Sequence, residues 1–293
     1  MSDERPKSDT AREGSLYRAA VLGSPIGHSL SPVLHRAAYE ALGLHDWRYD
    51  LFAVGGVGEP SLPAFLETLG PEWVGLSLTL PLKEAALACA ASSSPHARLL
   101  GAANTLVRRG PGWHADSTDA YGARVSLQEA GVRHVDEALL LGAGATARSV
   151  LAALAELGCR RIAVAVRDQA RPETLALADA VGVSVSVLPL AGLSRYVTDF
   201  PVVVSTLPTG TDLGLEAGDA PPGDVGSAPR EGAVVLDVVY AGWPTPLARW
   251  AAIGGATVVS GRQMLLHQAC EQVRLMTGRA APVAAMRAAL AAA

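Results

Sequence analysis

LLLGAGATARSVLAAL, residues 139 to 154, is the stretch whose reading decides the fold. Three leucines suited to a buried strand run directly into Gly142-Ala143-Gly144-Ala145-Thr146-Ala147, a GxGxxA turn, and then into a helical run. Gly142 permits the tight turn, Gly144 lets the backbone approach a pyrophosphate, and the small Ala147 lets helix and strand pack closely. The pyrophosphate would rest on the helix N-terminus, where free N–H groups and the helix dipole favour an anion. In this strand–turn–helix setting the pattern reads as a dinucleotide site.

Strand signals spread outward from this motif at regular intervals. Ala138–Leu141, Arg161–Val166, Val183–Leu188, Val202–Ser205, Val234–Val238 and Thr257–Val259 are short β-rich runs separated by helices or connections, as a doubly wound dinucleotide fold requires. The second run ends in Val166-Arg167-Asp168, with Arg171 following. An acid at this place binds the 2′-hydroxyl of NAD, whereas an arginine receives the 2′-phosphate of NADP. Arg167 and Arg171 favour NADP and Asp168 argues partly for NAD. Residues 211–232, rich in Gly, Pro and Asp, read as a long mobile loop. From Gly261 to the end the chain is helical, with a break at Thr277-Gly278 and Pro282.

Before residue 120 the pattern differs. Apolar β-type runs at Ala19–Gly23, Tyr49–Val54, Val74–Leu80 and Thr105–Val107 alternate with helical stretches at Ser31–Leu42 and Leu62–Leu69. This alternation predicts a second α/β unit with a mostly parallel sheet. Ser31-Pro32 reads as a helix start, serine as N-cap and proline at the first helical position. The expected architecture is therefore α/β throughout. A polar tail over 1–16 precedes a substrate-binding and catalytic domain over 17–119, which the C-terminal helices 262–293 complete. A Rossmann-type dinucleotide domain over 120–261 faces it across a cleft.

Composition narrows the function. With 49% apolar and 18% charged residues the chain is globular, and a net charge of -4 gives no basic surplus for nucleic acid. The first fifteen residues lack an apolar signal core, and no uninterrupted apolar run approaches 18 residues; no membrane span is expected and the cytoplasm is the default location. Cys89, Cys159 and Cys270 have no CxxC or metal-like spacing and suit a reducing compartment. No metal is expected, since the histidines, His28, His35 and His267 among them, show no ligand spacing. Of 24 basic residues only Lys7 and Lys83 are lysines. Arginine cannot release a proton in the working pH range and lysine can, so Lys83 stands out as a candidate acid/base. Chance survival of a surface lysine explains it equally well on composition alone.

The motifs taken in order supply more. GSPIGHSLSPVLH (23–35), GLSLTLPLKEAA (75–86), GAANTL (101–106), DSTDAYG (116–122), the GAGATAR loop, VSTLPTG (204–210), LDVVYAGWPTPL (236–247) and GRQMLLHQA (261–269) resemble the shikimate dehydrogenase family from about Tyr17 to Gly278. The resemblance implies reversible hydride transfer between NADPH and the ring ketone of 3-dehydroshikimate, on the chorismate route to aromatic amino acids. Ser29 and Ser31 resemble the family's substrate-carboxylate serines. Thr79 and Lys83 fall in its TxPxK element, Lys83 in the catalytic lysine's place with Asp119 as its partner. Asn104, Tyr240 and Gln268 match residues that hold the substrate, and Ser77 stands where the family commonly has Asn. The cofactor would contact Gly142, Gly144, Ala145, Thr146, Ala147, Arg167, Arg171, Thr206, Gly261 and Met264. The implied partner is a small anionic hydroxy acid, with the enzyme a monomer or homodimer. Two other readings stay open: an NAD-using quinate/shikimate dehydrogenase, which Asp168 supports, and a non-catalytic ligand sensor on the same fold.

Overall fold

The computed structural model describes residues 16–215 and 229–293. The amino-terminal tail, including Lys7, and the middle of the 211–232 segment lie outside the described residues.

Two six-stranded sheets organise the described residues. The first half contains β1 (Tyr17–Gly23), α1 (Ser31–Ala41), β2 (Trp47–Ala53), α2 (Leu62–Glu67), β3 (Trp73–Leu78), α3 (Lys83–Cys89), β4 (Ser92–Ser93), α4 (Pro95–Leu100), β5 (Thr105–Arg109) and β6 (Gly112–Asp116). Its sheet has the order β2-β1-β3-β5-β6-β4. Its β1–β2, β1–β3 and β4–β6 pairings are parallel, as expected of a mostly parallel sheet, while β3–β5 and β5–β6 are antiparallel, which makes the sheet mixed. The β5–β6 hairpin turns through Gly110-Pro111, and the short β6 and β4 were not evident in the sequence because their alternation is brief and partly polar.

The second half runs α5 (Asp119–Glu129), β7 (Glu137–Leu141), α6 (Ala145–Glu156), β8 (Arg161–Val166), α7 (Pro172–Ala180), β9 (Ser184–Pro189), β10 (Val202–Ser205), β11 (Val234–Asp237), α8 (Pro246–Ile253), β12 (Thr257–Ser260), α9 (Gly261–Thr277) and α10 (Val283–Ala291). All pairings in its sheet are parallel, in the order β12-β11-β10-β7-β8-β9. The central strands β7, β8, β10 and β11 are apolar at successive positions because both faces are covered by helices. Ala138, Leu140, Val164, Val204 and Leu236 point into one core; Leu139, Leu141, Ala163, Val203 and Val235 point into the other.

Strand order reverses between β7 and β10, and a crevice opens where two neighbouring strands send their connections to opposite faces. Gly142 and Thr206 meet there: the Thr206 hydroxyl donates to the Leu141 carbonyl at 2.9 Å. Gly142 adopts φ +100°, and a Cβ on it would lie 2.7 Å from Thr206 Oγ1. Only glycine serves both demands.

Helices α9 and α10 pack against α1 of the first half, burying Leu34 and Ala38 against Leu265, Leu266, Val273 and Met286. A second tie is polar. Arg148, on the apolar α6, is 1% exposed; its Nε donates to the Leu100 carbonyl at 2.7 Å and its Nη2 to Glu84 Oε1 at 2.8 Å. The start of α6, which carries the glycine turn, is thereby anchored to α3 and α4.

Candidate active site

A cavity of about 640 Å³ lies between the two halves, bordered by residues just beyond the C-terminal ends of β1, β3 and β11 and by one face of α9. Its lining brings together Ser29, Ser31, Ser77, Thr79, Lys83, Asn104, Asp119, Thr146, Tyr240, Gly261, Met264 and Gln268, residues separated by up to 239 positions in sequence. A neighbouring pocket of about 380 Å³ is lined by Gly144, Ala145, Thr146, Ala147, Arg171 and Thr206, and also by Thr79, Lys83 and Glu84. Thr79, Leu80, Lys83 and Thr146 line both.

Lys83 opens α3 and Asp119 opens α5, so each side chain projects from the first position of a helix. Lys83 Nζ donates to Asp119 Oδ2 at 2.5 Å and to Thr146 Oγ1 at 3.1 Å. Asp119 is buried, and its other oxygen accepts from Asn104 Nδ2 at 2.8 Å. Asn104 Nδ2 also has Thr118 Oγ1 at 2.9 Å and Gln268 Oε1 at 3.1 Å. Two amide hydrogens facing three acceptors leave one acceptor in surplus, open to a hydroxyl donor entering the cavity. Asn104 is itself fixed, because its Oδ1 accepts from the Thr118 backbone N–H at 2.9 Å and from the Thr105 hydroxyl at 2.8 Å.

Behind this layer stands a buried hub that sequence reasoning missed. Gln272 Nε2 donates to Thr105 Oγ1 at 3.0 Å and to the Asn104 carbonyl at 3.2 Å; its Oε1 accepts from Ser77 at 2.9 Å. Ser77 accepts in turn from the Tyr49 hydroxyl at 2.7 Å. His35, fully buried, stacks on Tyr49 with ring centroids 3.9 Å apart, and its Nε2 is 3.4 Å from Gln272 Oε1. Burial holds the His35 imidazole down to a pKa of about 3, with the Gln272 contact opposing weakly. The available signal was spacing: Gln268 and Gln272 are one helical turn apart on the same face.

At the other end of the cavity, α1 begins differently from expectation. Leu30, not Ser31, is the N-cap, and Ser31 is already the first helical residue, with Pro32 following. Ser29 Oγ instead accepts from the Ser31 N–H at 3.3 Å. The Ser31 hydroxyl is thus not consumed in capping, and it lies beside the Tyr49 hydroxyl. Burial raises the Tyr240 phenol above its usual range, and a hydrogen bond with Ser29 acts in the opposite direction. Two serines, Tyr240 and a helix N-terminus therefore converge without any arginine, an arrangement suited to a carboxylate. His28 also lines this end, its ring 6.3 Å from that of Tyr240.

The cofactor residues sort less tightly. Arg171 lines the smaller pocket, 3.8 Å from Glu84. Arg167 and Asp168 are exposed just past β8 and line neither pocket. Gly142 shapes the turn from behind, whereas a Cβ on Gly144 would meet open space, leaving the backbone there approachable. The residue types fit a dinucleotide: glycine backbone, a twelve-residue helix opening at Ala145, and a cationic side chain at the pocket edge. Among the described residues, no group of three His, Cys, Asp or Glu side chains could hold a metal ion, and no helix is long and apolar enough to cross a membrane.

Three family models match parts of the chain. Residues 21–106 match the shikimate dehydrogenase substrate binding domain, 125–213 the shikimate/quinate 5-dehydrogenase family, and 261–291 the shikimate 5′-dehydrogenase C-terminal domain. The chain is 39% identical to a curated shikimate dehydrogenase (NADP(+)) from Anaeromyxobacter sp., over 93% of this chain and 95% of the relative. Among solved structures it resembles the shikimate dehydrogenase of Mycobacterium tuberculosis, with TM-score 0.81 and 42% identity, covering 94% of this chain and 100% of that one. It also resembles the Thermus thermophilus shikimate 5-dehydrogenase solved with NADP(H) and shikimate, with TM-score 0.78 and 33% identity, covering 94% and 99%.

Proposed function

The chain belongs to the shikimate dehydrogenase family, and on that footing we propose that it catalyses the reversible, NADP-dependent reduction of 3-dehydroshikimate to shikimate, with Lys83 moving the proton. The observation that carries this reading is Lys83 held between Asp119 and Thr146 where the two pockets join. In this reading residues 17–119 with helices 262–293 form the substrate half, and 120–261 the cofactor half. The enzyme works in the cytoplasm, as a monomer or homodimer, on a small anionic hydroxy acid.

When bound, NADPH supplies the hydride. Ser29, Ser31 and Tyr240 hold the substrate carboxylate at one end of the cavity; Asn104 and Gln268 take ring hydroxyls at the other, and Ser77 and Thr79 line the wall between. Fixing both ends sets the ring carbonyl against Lys83, converting a loose encounter into an oriented one. Lys83, as ammonium, polarises that carbonyl. It releases one proton to the oxygen as the carbon is reduced, leaving a neutral amine and a hydroxyl. Asp119 remains ionised and keeps the amine in place for the reverse reaction. Gly142, Gly144, Ala145, Thr146 and Ala147 form the pyrophosphate cradle, with Thr206, Gly261 and Met264 beside it. Arg171, at the pocket edge, is the stronger candidate for the 2′-phosphate, with Arg167 nearby in sequence.

One observation sustains a second reading. Asp168 is exposed at the end of β8, where a carboxylate suits the 2′-hydroxyl of NAD. An NAD-using quinate/shikimate dehydrogenase would exploit it. The test of the main reading is the Lys83 pair of variants. Wild type should oxidise NADPH with 3-dehydroshikimate, while Lys83→Ala and Lys83→Arg should retain NADPH binding and lose about 10²- to 10⁴-fold in kcat, the usual contribution of a general acid. Either variant with kcat near wild type sinks the assignment.

A further inference from the structure

An ammonium has three N–H donors, and the hydrogen bonds of Lys83 use two of them. One goes to Asp119 Oδ2 at 2.5 Å, the other to Thr146 Oγ1 at 3.1 Å. The two acceptors come from different helices, Asp119 from the start of α5 and Thr146 from the second residue of α6, whereas Lys83 itself opens α3 in the first half. With one partner an ammonium still spins about its Cε–Nζ bond. With two it does not, and tetrahedral geometry then dictates where the third hydrogen points. Lys83 lines the larger cavity together with Thr79, Asn104 and Gln268, so a third direction is available there for an acceptor.

Thr146 sits between Ala145 and Ala147 at the opening of a helix. As a β-branched residue it is a poorer helix former than either neighbour, so helix formation does not explain its presence. Its hydroxyl engages Lys83.

We infer that Thr146 is a positioning residue: its hydroxyl locks the rotation of the Lys83 amino group and thereby aims the transferable proton at the substrate carbonyl. The inference rests on the proposed role of Lys83 as proton donor. After transfer the neutral amine keeps two N–H hydrogens for the same two acceptors, and its lone pair occupies the third direction. One arrangement thus orients the acid for reduction and the base for oxidation. Because the contact crosses between the halves, the seating of the glycine loop also sets the aim of the lysine.

The test compares Thr146→Val, which keeps the shape and removes the hydroxyl, with Thr146→Ser, which keeps the hydroxyl. At saturating NADPH and substrate, Thr146→Val should lose about 10- to 100-fold in kcat, the scale expected for a misaimed catalytic group, while Thr146→Ser stays within about threefold of wild type. In a Lys83→Ala background, Thr146→Val should cost nothing further, since its effect runs through the lysine. A second readout needs no turnover. The chain has two lysines, Lys7 and Lys83, so ε-carbon-labelled lysine gives two resonances, and Lys83→Arg identifies which belongs to Lys83. That resonance should shift in cofactor-free Thr146→Val and return toward its wild-type position in Thr146→Ser. Three results would each overturn the inference: kcat of Thr146→Val within about twofold of wild type, an equal loss in the Lys83→Ala background, or an unmoved Lys83 resonance. Wild-type protein that fails to turn over 3-dehydroshikimate overturns the underlying reading instead, and it is told apart because the Lys83 resonance still responds to Thr146→Val.

Discussion

The two sides of the cleft are built from different materials. The substrate side is wired with side chains: Lys83, Asp119, Asn104, Gln268, Gln272, Ser77, Tyr49 and His35 form one continuous chain of polar contacts through buried space. The dinucleotide side is made mainly of backbone: a glycine turn, the open end of α6 and strands apolar on both faces. The contrast follows from what each side binds. A small ring with several hydroxyls is distinguished by donors and acceptors at fixed positions, and each must be supported from behind. A pyrophosphate is held by N–H groups that every residue carries, so close approach matters more than side-chain identity. Substitutions should therefore act through lost polar partners on one side and through backbone conformation on the other.

The largest effect expected from this difference falls on Asp119. Asp119→Asn leaves Lys83 without its ionised partner in a mostly buried site. With its acid/base misplaced, kcat should fall by about a hundredfold or more with NADPH affinity little changed, the scale of a general-acid contribution; removing one member of the buried pair should separately cost roughly 3–5 kcal/mol of folding stability. A similar loss in NADPH affinity would blur the division between the sides. On the dinucleotide side, Gly142→Val forces a β-branched residue into φ +100° against Thr206. Such strain costs about 1–3 kcal/mol before the clash is added, and titration with NADPH should show binding weakened by at least tenfold. Affinity within about twofold of wild type would mean that this turn does not shape the cradle.

A smaller effect probes the support behind the substrate side. The His35 pKa of about 3 lies below the ordinary 6.5. Between those values the unfolded chain binds more protons than the folded one, so stability is lost as pH falls from 6.5 toward 3 and is unaffected by this group well above 6.5. Denaturant unfolding at pH 7 and pH 5 should show wild type losing about 2 kcal/mol more than His35→Phe over that interval. Parallel losses would place the pH sensitivity elsewhere. The mildest of the four is Gln272→Leu, which keeps the bulk and removes the contacts to Ser77, Thr105 and the Asn104 carbonyl. Leaving those groups without this partner costs about 1–3 kcal/mol of folding stability, and the loosened Asn104 should raise substrate KM by roughly tenfold with unchanged NADPH affinity. No change in KM would show that Asn104 holds its place without Gln272.

The same division explains what was legible in the sequence. Backbone-built parts leave compact signatures: GAGATA between a leucine strand and an alanine-rich helix announced the dinucleotide half, and its six strands fall where apolar runs sit. Lys83 and Asp119 were readable because they stand in ordered motifs. Gln272, Tyr49 and Arg148 were not, because their importance arises from partners 195, 28 and 64 positions away. The β5–β6 hairpin was missed for a local reason, being short and partly polar. The N-cap reading of Ser31 failed because Leu30 takes that place and leaves the serine hydroxyl to the cavity.

The central claim is that this cleft reduces 3-dehydroshikimate with NADPH. It is tested most directly by measuring kcat/KM in the oxidative direction for shikimate and for quinate, each with NADP and with NAD, in one series. The account predicts the highest value for shikimate with NADP, with the arginine at the pocket edge outweighing Asp168. A higher value with NAD, a preference for quinate, or no turnover with any of the four pairs would contradict it.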